Sequence, residues 1–244
     1  MSHQSLTEPE VSLGNMQYIF HEKDNDATSV DLLLDRLHAE FEPVHSMMVN
    51  YQCAAMEVET KFKVLNSRLS IHGELNPIES IKVRVKKPDS IIKKMERKGI
   101  PMSIESVEKN LFDVAGVRVI CSFVNDIYKI EECFFAQDDI TMISRKDYIK
   151  NPKPSGYRSL HLVIQIPIFT EIGKKDMYVE VQLRTIAMDF WASLEHKLRY
   201  KKNLDLQIME ELSEELIQCA DESSRLDERM MRVKDRLISL EQDG

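Results

Sequence analysis

Residues 177–184 read Met-Tyr-Val-Glu-Val-Gln-Leu-Arg. In an extended strand Met177, Val179, Val181 and Leu183 share one face, and Tyr178, Glu180, Gln182 and Arg184 share the other. The first face is ordinary core. The second lines up a carboxylate, an amide and a guanidinium, a set suited to a metal ion, a nucleophile and a phosphate. A second strand, Ile81-Lys82-Val83-Arg84-Val85-Lys86, turns Lys82, Arg84 and Lys86 to one side. Pro88-Asp89-Ser90 then opens a helix, along which Ser90, Lys94 and Arg97 fall on one flank. Strand and helix can grip one polyphosphate between them, and guanidinium planes can also stack on a base.

A polyphosphate brings Mg²⁺ with it, so carboxylates should project into the same cleft. Asp113 precedes the apolar run beginning at Val114, and Glu180 lies mid-strand; from two strands they make a reasonable magnesium pair. Asp113 alone fits a helix or turn cap equally well. Ser155-Gly156-Tyr157-Arg158-Ser159-Leu160-His161 adds a hydroxyl, an aromatic face, a guanidinium and an imidazole within seven residues. Taken singly, Tyr157 reads as a rim aromatic and His161 as a satisfied core histidine. The usual phosphate loop is missing. With seven glycines and no Gly-x-x-x-x-Gly-Lys-Ser/Thr or Gly-x-Gly-x-x-Gly pattern, side chains must hold the phosphates.

The elements that carry these residues follow from periodicity. Strands are expected at 81–86, 114–123, 140–148, 158–169 and 177–184, with Arg145 on the third and Leu160, Leu162, Ile164 and Ile166 on the core face of the fourth. Helices are expected at 88–98, 126–136 and from Thr185 to about Tyr200, the last containing the only tryptophan, Trp191. The sum is an α/β (α+β) fold, about five strands covered by helices. Two apolar stripes at helical spacing flank it, over 30–69 and 212–240, the first with a restart or kink expected at Pro43. Two such regular seams favour a homo-oligomer. Residues 1–29 read as a mobile lead-in, and 30–244 as one domain.

Composition bounds the partners. The 244 residues carry a net charge of −8, which argues against a general nucleic-acid coat. Residues 82–98 are strongly basic, however, whereas 205–244 are acidic. A cationic pocket in an acidic protein suits a small anionic substrate. Cys53, Cys121, Cys133 and Cys219 are scattered and read as buried free thiols in a reducing compartment. No signal-like or transmembrane-length apolar run is present, so a cytoplasmic protein without a membrane partner is expected.

Four co-ordered motifs carry a resemblance. Asp113-Val114-Ala115-Gly116-Val117-Arg118, Gly156-Tyr157-Arg158-Ser159-Leu160-His161 and Val179-Glu180-Val181-Gln182-Leu183-Arg184-Thr185 resemble the synthetase domain of RelA/SpoT enzymes. Ala187-Met188-Asp189-Phe190-Trp191-Ala192-Ser193-Leu194-Glu195-His196 resembles specifically the short members, the small alarmone synthetases RelP and RelQ. The resemblance covers about residues 45–230. It implies a nucleotidyltransferase-like mixed sheet and transfer of pyrophosphate from ATP to the 3′-hydroxyl of GDP or GTP. The products would be AMP and ppGpp or pppGpp, the alarmones of the stringent response.

Carried over by motif, the resemblance implies that Arg84 and Arg118 sandwich adenine, while Lys86, Ser90, Lys94 and Arg97 hold the ATP phosphates. Asp113 and Glu180 would bind Mg²⁺, with Glu180 taking the proton of the attacking hydroxyl. Tyr157 would stack on guanine. Arg145, Lys153 and His161 would surround the acceptor and its phosphates, with Gln182 and Arg184 supporting the cleft. Asp189 is a further candidate, its carboxylate accepting from guanine N1 and N2. The resemblance also suggests a tetramer.

Longer relatives add a hydrolase whose metal motif contains His-Asp. No such dipeptide occurs here, so synthesis without hydrolysis is expected. Two other readings start from the same residues. Toxin-like relatives modify the 3′ end of tRNA, but the acidic 205–244 segment disfavours RNA docking. A non-catalytic nucleotide sensor or RNA-binding regulator would need a broken catalytic set, and both carboxylates are present.

Overall fold

The computed structural model describes residues 27–72, 76–198 and 206–242. Five strands form one mixed sheet in the order β1-β2-β5-β4-β3. They are β1 (Ile78–Val85), β2 (Ala115–Cys121), β3 (Thr141–Asp147), β4 (Leu160–Thr170) and β5 (Gly173–Thr185). β2 and β5 run parallel, and the other neighbours are antiparallel. The alternation in β5 decides which way each side chain faces. Met177, Val179, Val181 and Leu183 are buried, and across the sheet Val117, Val181 and Leu162 align in one register row.

That face is covered by α1 (Ala27–Leu69) and α4 (Val124–Phe135). Ala54, Ala55, Val58 and Phe62 of α1 are fully buried, as are Ile127, Ile130 and Phe134 of α4. The Phe62 and Phe134 rings stack with centroids 4.3 Å apart. Each buried side chain of this size contributes about 1.5–3 kcal/mol, so the covered face anchors the fold and leaves the opposite face open for a site. Pro43 lies inside α1 and does not end it. The ring removes one backbone donor, which a long packed helix tolerates better than an isolated one.

α2 (Pro88–Lys98) opens on proline at its first turn and stops at Gly99, whose φ of 63° is a left-handed cap. Ile91 and Met95 bury its inner side, which leaves Lys94 on the flank toward the sheet. The short α3 (Ile104–Asn110) is an element that hydrophobic periodicity does not reveal. Seven residues are too few for a stripe, although Ser103 caps it by accepting from Ser106 N at 3.2 Å. α5 (Ile186–Leu198) follows β5 directly and packs on α6 (Leu206–Gln242).

Three sequence expectations need adjustment or fall outside the described residues. The lead-in assigned to 1–29 overlaps α1, which begins at Ala27; residues 1–26 lie outside the described set, as does the expected end of α5 near Tyr200. The four cysteines are free, but only Cys121 is buried, and Cys219 is exposed. Cys219 lies on α6, whose buried position is the neighbouring Ala220. Among the described residues no helix is long and apolar enough to cross a membrane.

Candidate active site

On the open face the strand register aligns polar residues from all five strands. Lys82, Arg118, Gln182, His161 and Lys146 form one row, and Arg84, Gly116, Glu180 and Val163 form the next. β5 is central, so Glu180 has the cationic strands β1 and β2 on one side and β4 on the other. A cleft of about 340 Å³ lies over the β1, β2 and β5 side, lined by Arg84, Lys86, Asp113, Arg118 and Glu180 among others. Gly116 lies in its floor, and the missing side chain leaves space between Arg84 and Glu180.

Asp113 sits in the turn before β2. One carboxylate oxygen accepts from Lys86 Nζ at 2.7 Å and also from Lys94 Nζ. Burial by itself would raise this carboxyl, but the two ammonium groups outweigh it and hold it below the usual carboxylate range. The other oxygen, Oδ1, is buried and has no hydrogen-bond partner among the described residues. An unpartnered buried carboxylate oxygen is costly unless something else fills its valence. Glu180 faces the same cleft, accepting from Gln182 Nε2 at 2.8 Å and lying 3.8 Å from His161 Nδ1.

Asp189, buried at the start of α5, joins the two halves. Its Oδ1 accepts from Arg118 and Arg184, each at 3.2 Å, and its Oδ2 accepts from Lys82 at 3.0 Å. Burial opposes ionisation here too, and these three cations override it, keeping the carboxyl below its ordinary range. Both oxygens therefore already carry cationic partners. In this arrangement Asp189 fixes the guanidinium groups of Arg118 and Arg184.

Arg184 passes the restraint on. It is buried and donates to Tyr157 Oη at 2.6 Å and Gln182 Oε1 at 2.9 Å. Tyr157 Oη also lies 2.8 Å from His161 Nε2. Tyr148 meets His161 edge-on at 5.2 Å, and Lys153 Nζ lies 4.6 Å and 4.8 Å from the Tyr148 and Tyr157 ring centres. Burial, reinforced by Lys153, Arg184, Lys146 and Arg118, lowers the His161 pKa from 6.5 to about 3. The imidazole is neutral at physiological pH, and it acts as a hydrogen-bonding group with no charge.

Most sequence-assigned residues converge on this face. Arg84, Lys86, Asp113, Arg118, Glu180 and Gln182 line the cleft. Lys94 reaches it through Asp113, while Ser90 and Arg97 stay on α2, half-buried and exposed respectively. Lys153, Tyr157, His161 and Arg184 cluster beside Gln182. Arg145 does not join them. It pairs across from Leu162 on the covered face, where Glu131 of α4 binds it at 2.6 and 3.0 Å. The cause is a β-bulge between Met142 and Ser144. Continuing the register of Thr141↔Gln165 and Met142↔Ile164 would set Arg145 opposite His161, but the one-residue shift puts Lys146 there instead. Lys146 and Tyr148 are the residues that sequence reasoning missed, and Lys146 had no local signal. Lys82 was read on the basic face of β1, but not its pairing with Asp189.

The residues present fit a magnesium ion. Mg²⁺ takes one or two protein carboxylates and completes its shell with phosphates and water. Asp113 and Glu180 both line the cleft, and Asp113 Oδ1 has no protein partner among the described residues, so its valence is free for a cation. No group of three or more candidate metal ligands occurs among the described residues, so a site held largely by protein ligands is not what this arrangement offers.

Comparison with known proteins agrees with the geometry. The profile of the region found in RelA/SpoT proteins matches residues 83–205. GTP pyrophosphokinase YwaC of Bacillus subtilis is 41% identical over 202 residues, 82% of this chain and 95% of that protein. The crystal structure of small alarmone synthetase 1 from Bacillus subtilis bound to its product pppGpp superposes with a TM-score of 0.73. It is 36% identical and covers 81% of this chain and 99% of its own. The same enzyme bound to AMPCPP gives a TM-score of 0.66 at 34% identity, over 80% and 97% of the two chains. With a five-stranded sheet, two flanking long helices and this spacing of motifs, the chain belongs to the RelA/SpoT family, among its small alarmone synthetases.

Proposed function

We propose that this protein is a GTP pyrophosphokinase that transfers the β,γ-pyrophosphate of ATP to the 3′-hydroxyl of GDP or GTP, yielding AMP and ppGpp or pppGpp. The observation that carries this reading is the position of Glu180, on the central strand between a cationic wall and an aromatic, imidazole-bearing one. Two anionic nucleotides need two binding walls with a proton acceptor at their junction, and the position of Glu180 between β2 and β4 supports that reading.

In this reading Arg84 and Arg118 flank the ATP base, and Asp189 holds Arg118 at the required angle. Lys86, Lys94, Ser90 and Arg97 take the phosphates. Lys86 and Lys94 both pair with Asp113 in the free protein, and two ammonium groups against one carboxylate leave this wall net positive for an entering polyanion. Tyr157 stacks on guanine, with Lys153, Lys146 and the neutral His161 around the acceptor. Glu180 accepts the proton of the 3′-hydroxyl as its oxygen forms a bond to the β-phosphorus. The bond from that phosphorus to the α,β-bridging oxygen breaks, and AMP leaves. Asp113 and Glu180 would hold Mg²⁺, which when bound supplies charge neutralisation across the phosphates. Catalysis here is alignment and electrostatics, without a covalent intermediate.

The protein is expected to act as a synthetase only and to assemble as a homo-oligomer, with a tetramer favoured. Chromatography of nucleotides after incubation with ATP, GDP or GTP, and magnesium tests the central reading. AMP and a 3′-pyrophosphorylated guanosine nucleotide should appear together. Glu180→Gln should lower kcat by about 10²-fold or more while retaining ATP binding. If the parent protein forms no such product under these conditions, the reading fails. Manganese-dependent release of pyrophosphate from ppGpp would contradict the synthesis-only assignment.

A further inference from the structure

We infer that α6 is the back wall of the acceptor site: it grips the 153–158 loop from behind and thereby sets how well the guanosine nucleotide is held, touching the acceptor wall directly and the ATP wall at one remove, through α5 and Asp189. The inference rests on the assignment of the Tyr157 wall to the acceptor. Gly156 is the point of closest approach. Its φ is +85°, and a Cβ there would stand 2.6 Å from Ala220 Cβ and 3.5 Å from Ile217 Cα. Loop backbone therefore lies directly on the helix, where only glycine satisfies both the conformation and the space.

The residues after Gly156 extend this contact. Tyr157 packs against the cluster of Trp191, Ala192 and Ala220, with Leu216 beside it, while its hydroxyl faces Arg184 and His161. The ring is thus held between a helix behind and a hydrogen-bonded pair in front. Arg158 binds the Ile149 carbonyl at 3.2 Å and Asp221 of α6 at 3.3 Å, tying the base of the loop to the same helix. α6 is in turn fixed to α5, because Trp191 Nε1 donates to the Leu216 carbonyl at 2.8 Å and Ser223 to the Ala187 carbonyl at 3.1 Å. Thr185, at the end of β5, bonds Asp227. The contacts made by Gly156, Tyr157 and Arg158 fall on the acceptor side of Glu180, whereas β1 and α2 carry the donor side, which α5 meets through Asp189. A small displacement of α6 would move Tyr157 relative to Glu180, and misplacement by about 1 Å can cost on the order of 10²-fold in rate.

The test uses two α6 substitutions outside the cleft, Ala220→Leu and the milder Asp221→Ala. KM is measured separately for GDP and for ATP, Trp191 fluorescence reports docking of α6, and amide hydrogen exchange is followed over 153–158 and 88–98. In Ala220→Leu the acceptor KM should rise roughly tenfold or more, with the ATP KM within about twofold. Exchange should accelerate over 153–158 and stay unchanged over 88–98. Asp221→Ala should show the same pattern at smaller amplitude, and Asp221→Glu should restore the parent values. If Ala220→Leu does not fold, the Asp221 pair decides. Equal rises in both KM values, or an unchanged acceptor KM when Trp191 emission shows the helix displaced, would overturn the inference. A parent protein that makes no product would instead refute the proposed reaction. The exchange arm would then stand alone, and unchanged exchange over 153–158 in the variants would overturn the link between helix and loop.

Discussion

Single side chains on the open face divide into those that carry charge to a ligand and those that hold the first group still. Asp189 and Arg184 belong to the second group: both Asp189 oxygens accept from cations, and the two terminal nitrogens of Arg184 donate to Asp189, Tyr157 and Gln182. His161 gives a pH signature. Its folded pKa of about 3 lies below the ordinary 6.5, so between those values the unfolded chain binds more protons than the folded one. Stability from this group is fully present above 6.5 and is lost as pH falls below it. The limiting slope is about 1.4 kcal/mol per pH unit for one proton. Urea unfolding between about pH 7.5 and 5 should show that loss, and His161→Gln should flatten it. Asp113 and Asp189, both held low, lose their contribution only at more acidic pH. The β3 bulge gives a sharper test. Lys146→Gln should raise the acceptor KM roughly tenfold, the worth of one charged contact, whereas Arg145→Gln should leave it within about twofold because Arg145 faces α4. The reverse result would mean that the register of β3 is wrong.

At the scale of elements, legibility tracked the strength of the local pattern. β5 was legible because buried and half-buried positions alternate strictly from Met177 to Leu183. α2 was legible because proline opens it and glycine closes it. β3 was placed as an element but not in register, since Thr-Met-Ile-Ser-Arg-Lys-Asp has no apolar alternation to choose a face. α3 escaped notice for lack of length. Gly116 shows what pairing adds to a motif. Within Asp113-Val114-Ala115-Gly116-Val117-Arg118 it is one small residue among several, but in the sheet it opens the floor between Arg84 and Glu180. A Cβ there would meet only the Arg84 and Glu180 carbonyls, at 3.6 and 3.9 Å. Gly116→Val should therefore leave stability within about 1 kcal/mol and raise the ATP KM roughly tenfold through steric filling. A destabilised protein with an unchanged ATP KM would show that the floor is not where the donor lies.

For the whole molecule the unsettled quantity is association. Leu226, Met230, Val233 and Leu237 of α6 are each more than half exposed, and a seam of this size on one helix is costly to leave in water. Light scattering at micromolar concentration should give a mass above that of the 28.4 kDa chain, and Leu226→Asp with Leu237→Asp should lower it; a monomeric parent would end the proposal. The sequence by itself determined the fold class, the cationic strand and the family, because each is written in local alternation or in motifs whose residues lie close along the chain. Only the tertiary structure decided that Asp189 ties the two halves together, that Lys146 replaces Arg145 beside His161, and that α6 stands behind Tyr157. Those depend on strand register and on contacts between distant segments, which one bulged residue or one helix packing can change without altering any local pattern.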